Sequence, residues 1–236
     1  MQSESALTPQ SFATDPDEQL IVERISAAVM EQRLPPDTKL SESKLCDAFG
    51  VGRMHVRRAL LLLGSQGIVT LKPNRGAFVA SPEPQEAKEV FESRILIETA
   101  LVAKMTDGLD DEILQGLESH LEAEEKARNS QDRPEVIRLS GEFHVLLAAA
   151  SGNRTLARVV RELVMRSSLI VALFGPPGGV SCPEDEHPRI LAALARRDVE
   201  SASRLLAAHL RHIQGGLDPN IARPGHQDLA RILGMT

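Results

Sequence analysis

The chain of 236 residues contains no tryptophan and no tyrosine, and aromatic side chains make up only 3% of it. Sheet-rich folds normally use more aromatic and β-branched residues, so this composition disfavours a mainly β fold. The abundance of Ala, Leu, Glu and Arg predicts helices instead.

Cysteine and long apolar runs are also scarce. Two cysteines, Cys46 and Cys182, are too few for a disulfide framework and fit a reducing compartment. No run of about 18 apolar residues is present, which predicts no membrane-spanning helix. Residues 1–16 are polar and lack the features of a signal peptide, so we expect a disordered N-terminus and a cytoplasmic protein.

The net charge of −6 hides an uneven distribution. Residues 39–80 hold 7 Lys and Arg against 2 Asp and Glu, whereas residues 81–236 hold 18 against 24. One short basic segment in an acidic chain is compatible with a nucleic-acid-binding module.

Residues 17–80 carry the pattern of a winged helix-turn-helix. Helices are predicted at about 17–33, 41–49 and 53–67, because Pro35-Pro36 and Gly50 interrupt the apolar periodicity. Short apolar runs at 68–71 and 77–79 flank KPNRG and predict a β-hairpin.

Two prolines at 81–89 predict a linker, and the rest of the chain looks helical. We expect a mainly α fold in which an all-α helical bundle at 90–216 follows the DNA-binding domain, with a loose tail at 217–236. The helices of the bundle are predicted at about 85–107, 109–129, 133–151, 153–174, 186–197 and 198–216, and the tail allows a short helix at 226–233.

The segment PPDTKLSESKLCDAFGVGRMHVRRALLLLGSQGIVTLKPNRGAFVA resembles the winged-helix domain of the GntR family of bacterial transcription regulators. The match includes Leu-x-Glu, the Gly-Val turn, Arg-x-x-Val-Arg-x-Ala-Leu and a wing ending Arg-Gly-x-x-Val. The resemblance implies DNA binding rather than catalysis. It assigns DNA contacts to Lys44, Arg53, Met54, His55, Arg57, Arg58, Lys72, Asn74, Arg75 and Gly76.

The chemistry of these residues agrees with the resemblance. A recognition helix presents its N-terminal residues to base edges, and the planar fork of arginine matches two acceptors on guanine. Arg53 lies at that N-terminus and Arg57 lies one turn later, although a solvated helix face is the alternative. Where the family has Ser or Thr, a small polar residue and Glu, this chain has Gly52, Met54 and Arg58.

Residues 86–216 resemble the helical FCD ligand-binding domain of one GntR branch. The resemblance rests on RILIETALVAKM, EFHVLLAAASGN and EHPRILAALARRDVESASRLLAAHL. It implies a homodimer, a small organic acid as effector and a divalent transition metal, with Zn or Ni favoured. The metal ligands by this resemblance are His144, His187 and His209.

The usual acidic ligand, one turn before His144, is replaced by Ser140. Three alternatives stay open for the histidines: a metal, a metal-free anion site, or a structural role. The predicted effector-binding residues are Arg94, Ser140, Asn153 and Arg166. Their alternatives are an ion pair with Glu98 for Arg94, a helix cap for Asn153 and a solvated face for Arg166.

The sequence thus predicts a ligand-responsive regulator, most simply a repressor, that binds near-palindromic double-stranded DNA and no membrane. A regulator that senses the metal itself is the alternative. A metal-dependent hydrolase is less well supported, because the chain has no His-Glu-x-x-His, no Ser/His/Asp arrangement and no phosphate loop.

Overall fold

The computed structural model of the protein describes residues 15–105, 109–176, 185–218 and 229–233. Nearly all of the predicted disordered N-terminus lies outside the described residues. Cys182 and most of the predicted C-terminal tail also lie outside them.

The described residues form ten helices and three short strands, which confirms the predicted mainly α fold. In chain order these are α1 (Pro16–Met30), β1 (Lys39–Leu40), α2 (Glu42–Phe49), α3 (Arg53–Ser65), β2 (Val69–Lys72), β3 (Gly76–Val79), α4 (Pro84–Ala103), α5 (Asp111–Asn129), α6 (Arg133–Ala150), α7 (Arg154–Phe174), α8 (Glu186–Ala195), α9 (Val199–Gly215) and α10 (Leu229–Ile232).

Helices α1 to α3 and the sheet form the predicted winged helix-turn-helix. Gly50 ends α2 with a φ of 68°, a left-handed conformation that glycine adopts without a steric penalty. The three antiparallel strands lie in the order β1-β3-β2, and β2 and β3 form the wing. Strand β1 was not predicted, because two residues are too few to show an alternating pattern.

Helix α4 begins inside the segment that was predicted to be a linker. Pro84 is its first residue, and proline suits this position because its φ is already helical and its missing N–H would have no partner there. Only residues 80–83 separate the last strand of the wing from α4, and the helix therefore takes up most of the segment predicted as a linker.

The six long helices of the second domain begin within two residues of their predicted starts. Four of them have a side-chain cap that the sequence displays, in which an Asp or Asn oxygen accepts a backbone N–H of the first turn. The caps are Asp110, Asp132, Asn153 and Asp198.

Helices α6 and α7 pack closely at Gly141. A Cβ atom at this position would lie 2.9 Å from Ser168 Oγ and 2.9 Å from Val164 Cγ1. Glycine therefore allows an approach that any larger residue would prevent.

One hydrophobic cluster continues from the winged helix into the helical domain. It includes Ile25, Val29 and Leu63 on one side and Phe91 and Phe174 on the other, all buried. The orientation of the two domains in this structure is therefore fixed by shared packing as well as by the short connection. No helix in the described ranges is both long and apolar enough to span a membrane.

Candidate metal centre and DNA-binding surface

Three buried histidines from three helices meet inside the helical domain. His144 lies on α6, His187 is the second residue of α8, and His209 lies on α9. The Nε2 atom of His209 is 3.1 Å from Nε2 of His144 and 3.1 Å from Nε2 of His187. The structure thus brings together the three residues that were predicted as metal ligands.

A glutamate holds the other ring nitrogen of each histidine. The Nδ1-to-carboxylate pairs are His144 with Glu98 at 2.6 Å, His187 with Glu124 at 2.9 Å and His209 with Glu186 at 2.8 Å. An ionised carboxylate can only accept, so each neutral ring donates its Nδ1–H and keeps a bare Nε2. In this tautomer, the three Nε2 lone pairs point into one region. The 3.1 Å separations between the Nε2 atoms then carry no proton.

Burial keeps His144 and His209 neutral. It lowers the pKa of His209 to about 4, although the hydrogen bond to Glu186 acts in the opposite direction. It also lowers the pKa of His144 well below its ordinary value, against the attraction of Glu98. Neutral imidazole is the form that binds a metal.

The supporting glutamates stay ionised. Burial alone would raise the pKa of Glu98, but the neighbouring charge of Arg94 and the contact with His144 outweigh it and lower the pKa to about 2. The hydrogen bond from His209 lowers the pKa of Glu186 to about 2. The cluster thus offers imidazole nitrogens as ligands. The carboxylates that are hydrogen-bonded to the far ring nitrogens surround these ligands with negative charge.

This arrangement fits a divalent transition metal. Nitrogen ligands at about 2.1 Å from a tetrahedral zinc lie roughly 3.4 Å from one another, close to the 3.1 Å between the Nε2 atoms. A carboxylate on the far ring nitrogen is the usual support of a metal-bound histidine, because it fixes the ring and raises its basicity.

Ser140 lies one turn before His144 on α6 and is half-buried. Within the described part of the chain, the group of close His, Cys, Asp and Glu ligand atoms here consists of the three histidines alone. The protein would therefore offer an ion three nitrogens and no carboxylate. The remaining coordination positions would be open to water or to an acid.

Arg94 is buried beside this cluster. Its Nε donates to Glu98 Oε1 at 2.7 Å and its Nη1 donates to Ser167 Oγ at 2.8 Å. The ion pair with Glu98, the alternative to an effector role, is therefore present. However, the buried Nη2 has no hydrogen-bond partner among the described residues, so one donor stays available.

The structure does not bring the other two predicted effector residues to Arg94. The side chain of Asn153 caps α7 by accepting from Leu156 N at 3.1 Å. It lies 14 residues before Ser167, which is about 21 Å along the helix. Arg166 is exposed and lies 3.7 Å from Glu86. The helix cap and the solvated ion pair, which were the alternatives for these two residues, are therefore both present.

Helix α3 exposes most of the side chains predicted to contact DNA. Arg53 is its first residue, and Met54, Arg57 and Arg58 are also exposed. His55 differs, because its side chain faces α1 with Nδ1 3.5 Å from Asp15 Oδ1. Arg53 and Met54 therefore occupy the position from which a recognition helix reads bases.

Two arginines of α3 are paired with carboxylates of their own domain. Arg57 Nε lies 3.1 Å and 3.0 Å from the two oxygens of Glu42, and Arg58 Nη1 donates to Glu18 at 3.1 Å. In the described ranges, no carboxylate lies within ion-pair distance of Arg53. Lys44 is exposed on α2.

The wing also has the predicted character. Lys72 donates to Asp37 at 3.3 Å, and Arg75 is exposed. Asn74 and Gly76 have φ values of 58° and 95°, which place the turn backbone in the left-handed region. The tip is therefore a tight, basic turn able to approach a phosphate backbone.

Sequence reasoning missed two of the three supporting glutamates. Glu124 lies seven residues after Leu117, on the same buried side of α5. An acidic residue on an apolar stripe was therefore a visible signal of a buried partner. Glu186 offered no such signal, because it reaches His209 only through the packing of α8 against α9.

Comparison with known proteins extends these observations. Residues 18–79 match the gntR family of bacterial regulatory proteins, and residues 89–212 match the FCD domain. The HTH-type transcriptional regulator YdhC of Bacillus subtilis (strain 168) is 30% identical over 180 residues, covering 75% of this chain and 80% of the relative. The HTH-type transcriptional repressor RspR of Escherichia coli (strain K12) is 24% identical over 216 residues, covering 90% and 92%.

A further relative, the HTH-type transcriptional repressor GlaR of Escherichia coli (strain K12), is 27% identical over 199 residues and covers 77% of this chain and 87% of its own. The crystal structure of a GntR regulator from Rhodococcus sp. RHA1 has a TM-score of 0.70 and 23% identity over 85% of this chain and 97% of its own, which shows the fold. From the two family matches and these relatives, the chain belongs to the GntR family of bacterial regulatory proteins, in the branch with an FCD domain, and it is a DNA-binding transcriptional regulator rather than an enzyme.

Proposed function

We propose that the protein is a repressor that binds a near-palindromic operator as a homodimer, and that a divalent transition metal and a small organic acid control its DNA affinity. The observation that carries this proposal is the convergence of three bare Nε2 atoms whose rings are all held by carboxylates. Two of its relatives, RspR and GlaR, are named as repressors.

His144, His187 and His209 would hold the metal, with Zn²⁺ or Ni²⁺ favoured because imidazole nitrogen suits both. A bound ion would supply a Lewis-acidic centre that attracts the oxygen of an acid. Without an ion, three lone pairs face one another in a buried site. An ion there would stabilise the positions of α6, α8 and α9, because a ligand that binds only the folded state adds to its stability.

Arg94 would recognise the acid. Its Nη2 is a buried donor without a partner in the described residues, and leaving such a donor unpaired costs about 1–3 kcal/mol. A carboxylate is the group that a guanidinium binds best. We propose that the effector accepts from Arg94 Nη2, with Ser140 as a neutral neighbour on α6.

A metal-sensing regulator, in which the ion itself is the effector, is the second candidate. One observation favours it: the void next to His144 and Glu98 is too narrow for a water molecule. A larger groove of about 500 Å³ lies between α5 and α8, but four glutamates and one arginine line it, and this net negative charge would repel an acid. An organic acid could enter the void next to His144 and Glu98 only if the surrounding helices moved apart, whereas an ion between the Nε2 atoms would not need this void.

The homodimer would form through the outer face of α4 and α7. Large apolar side chains are exposed there, with Leu96 72% and Met165 42% accessible, and Val159 also exposed. Exposed apolar clusters of this kind mark protein contacts, and we propose a second copy of this chain as the partner. A Leu96→Glu variant should sediment as a monomer, and an unchanged dimer would place the interface elsewhere.

The decisive experiment is a titration of DNA binding under three conditions. Operator fragments selected in vitro are bound with Zn²⁺ added, with chelator added, and with Zn²⁺ plus carboxylates from acetate to citrate. A response to Zn²⁺ alone supports the metal sensor, and a response that needs both supports the organic-acid effector. Equal affinity in all conditions contradicts both.

The role of Ser140 can be tested by Ser140→Asp. If residue 140 faces the ion, an added carboxylate should tighten Zn²⁺ binding and improve binding of Mn²⁺, which prefers oxygen ligands. Glu142→Asp is the matched control, because Glu142 points outward and pairs with Arg138. Calorimetric titration of both metals measures the effect, and unchanged affinities would show that residue 140 does not face the ion.

A further inference from the structure

Among the described residues, three side chains link the winged helix to later parts of the chain, and each donates to a backbone carbonyl. Arg133 Nη1 donates to Met30 O at 2.6 Å, and Gln32 Nε2 donates to Gly175 O at 3.1 Å. Arg33 donates to the carbonyl of Ile232. These three contacts therefore depend on the positions of backbone carbonyls and not on the side chains of the accepting residues.

Arg133 contacts the ends of two helices at once. Met30 is the last residue of α1, and the guanidinium also lies 3.3 Å from Val171 O and 3.4 Å from Ala172 O in the last turn of α7. Carbonyls in the last turn of a helix carry negative partial charge and can accept a hydrogen bond from outside the helix. Val171 O also accepts from the backbone N–H of Gly175. Burial lowers the pKa of Arg133, but arginine remains charged in proteins. One cation thus joins α1 to α7.

Two of the helices that meet at Arg133 are connected to the histidine site: α6 carries one of the histidines, and α7 is linked to the site by a hydrogen bond. Arg133 is the first residue of α6, which carries His144 about three turns later. Helix α7 carries Ser167, which accepts from Arg94, and Arg94 holds Glu98 against His144. A shift of α6 relative to α7 at the site therefore changes the distance between the groups that Arg133 joins.

We propose that Arg133 couples the histidine site to the DNA-binding domain. This inference rests on the proposed function, because it assigns a regulatory path to the proposed metal site. Arg133 is a positioning residue: it touches neither the histidines nor the recognition helix, and it acts through the C-terminus of α1. Filling the site moves α6 against α7, and Arg133 passes that movement to α1.

Amide hydrogen exchange of the full-length protein, with Zn²⁺ as the probe and no DNA, tests the coupling. In the wild type, Zn²⁺ should slow exchange in α8 and α9 and also in α1. In Arg133→Met, it should slow exchange in α8 and α9 but no longer in α1. Arg138→Met is the matched control, because Arg138 lies on the exposed side of α6 and pairs only with Glu135 and Glu142.

The outcomes are distinguishable. If Zn²⁺ protects α8 and α9 but the α1 response is absent in the wild type or unchanged in Arg133→Met, the coupling is overturned and the metal site stands. If Zn²⁺ protects neither α8 nor α9, the proposed metal site fails and the coupling fails with it. Arg133→Lys keeps the charge but not the fork, so it replaces the methionine variant if that variant does not fold, with the same expected loss in α1.

Discussion

The winged helix and the histidine site both pair carboxylates with basic side chains, but in opposite surroundings. On α3, the exposed Arg57 pairs with Glu42, whose side chain is also partly exposed. In the helical domain, the carboxylates of Glu98 and Glu124 and their histidine partners are at most a few per cent exposed.

The surroundings determine what each pair can do. An exposed ion pair contributes at most about 1 kcal/mol, so DNA phosphates can replace its carboxylate with little loss. A buried charge that loses its partner costs several kcal/mol, so the pairs around the histidines resist rearrangement. The first arrangement suits a surface that exchanges partners, and the second suits a site that must hold its ligands in place.

The largest effect is expected from Arg94→Met, which leaves the buried carboxylate of Glu98 without its cation. The free energy of unfolding should fall by about 3–5 kcal/mol. Arg138→Met removes an exposed arginine with two carboxylate partners and should change stability by less than about 1 kcal/mol. Urea denaturation measures both, and equal losses would contradict the contrast between buried and exposed pairs.

The loss of metal affinity on substitution should be largest for a residue that would bind the ion and smaller for a residue that only supports a ligand. His209→Ala removes a ligand and should abolish stoichiometric Zn²⁺ binding. Glu124→Gln removes only a support and should weaken binding by about 10–100-fold. His212→Ala is the control, because this exposed side chain touches Glu186 and not the cluster. Calorimetry would show the order, and a larger loss in the control than in Glu124→Gln would refute it.

Arg53→Ala tests the exposed side of the comparison. Its side chain has no carboxylate partner in the described ranges, so no ion pair has to break before the guanidinium contacts a base. Specific operator affinity should fall by about 1–3 kcal/mol, with a smaller change for unrelated DNA. Arg204→Ala, which removes an exposed arginine of α9 that pairs with Glu200, should leave both affinities unchanged. Competition binding at fixed salt measures this, and equal losses on both DNAs would reassign Arg53 to phosphate contact.

Acid should weaken the metal-free protein in a defined pH window. The pKa values of His144 and His209 are lowered in the folded state, so below about pH 6.5 the unfolded chain takes up protons first and stability falls. Glu98 and Glu186, with pKa values of about 2, contribute no loss until the pH falls below about 4.5.

Between pH 6.5 and 4.5, His209 alone should therefore cost roughly 2 kcal/mol of unfolding free energy. Denaturation in chelator at several pH values measures this slope, and His209→Gln should lose its share of it. A wild type with equal stability at pH 6.5 and 4.5 would show that these histidines are already protonated in the folded state.

The smallest effect is expected from Glu42→Gln. The variant releases Arg57 from its carboxylate, so DNA affinity should rise a few-fold and protein stability should change by at most about 1 kcal/mol. Affinity measured at two salt concentrations separates this from a general charge effect. A loss of DNA affinity would mean that Glu42 orients Arg57 for binding.

The sequence predicted the helices, the winged helix and the three histidines, because caps, apolar periodicity and family motifs are local. It also contained a signal for Glu98, which lies seven residues after the buried Phe91 and is itself buried on α4. Arg133 had no comparable signal. Its acceptors are backbone carbonyls of α1 and α7, and a carbonyl looks the same whatever residue carries it.

The four residues that separate the wing from α4 span at most about 14 Å even when fully extended. If the helical domains form the dimer, each winged helix is therefore joined to it by a very short connection. The geometry of the dimer, rather than the flexibility of this connection, then determines the distance between the two winged helices. Genuine binding sites in a genome should then share one spacing between half-sites. The insertion of a single base pair between the half-sites would rotate one of them away and should defeat recognition even when every contacted base is kept.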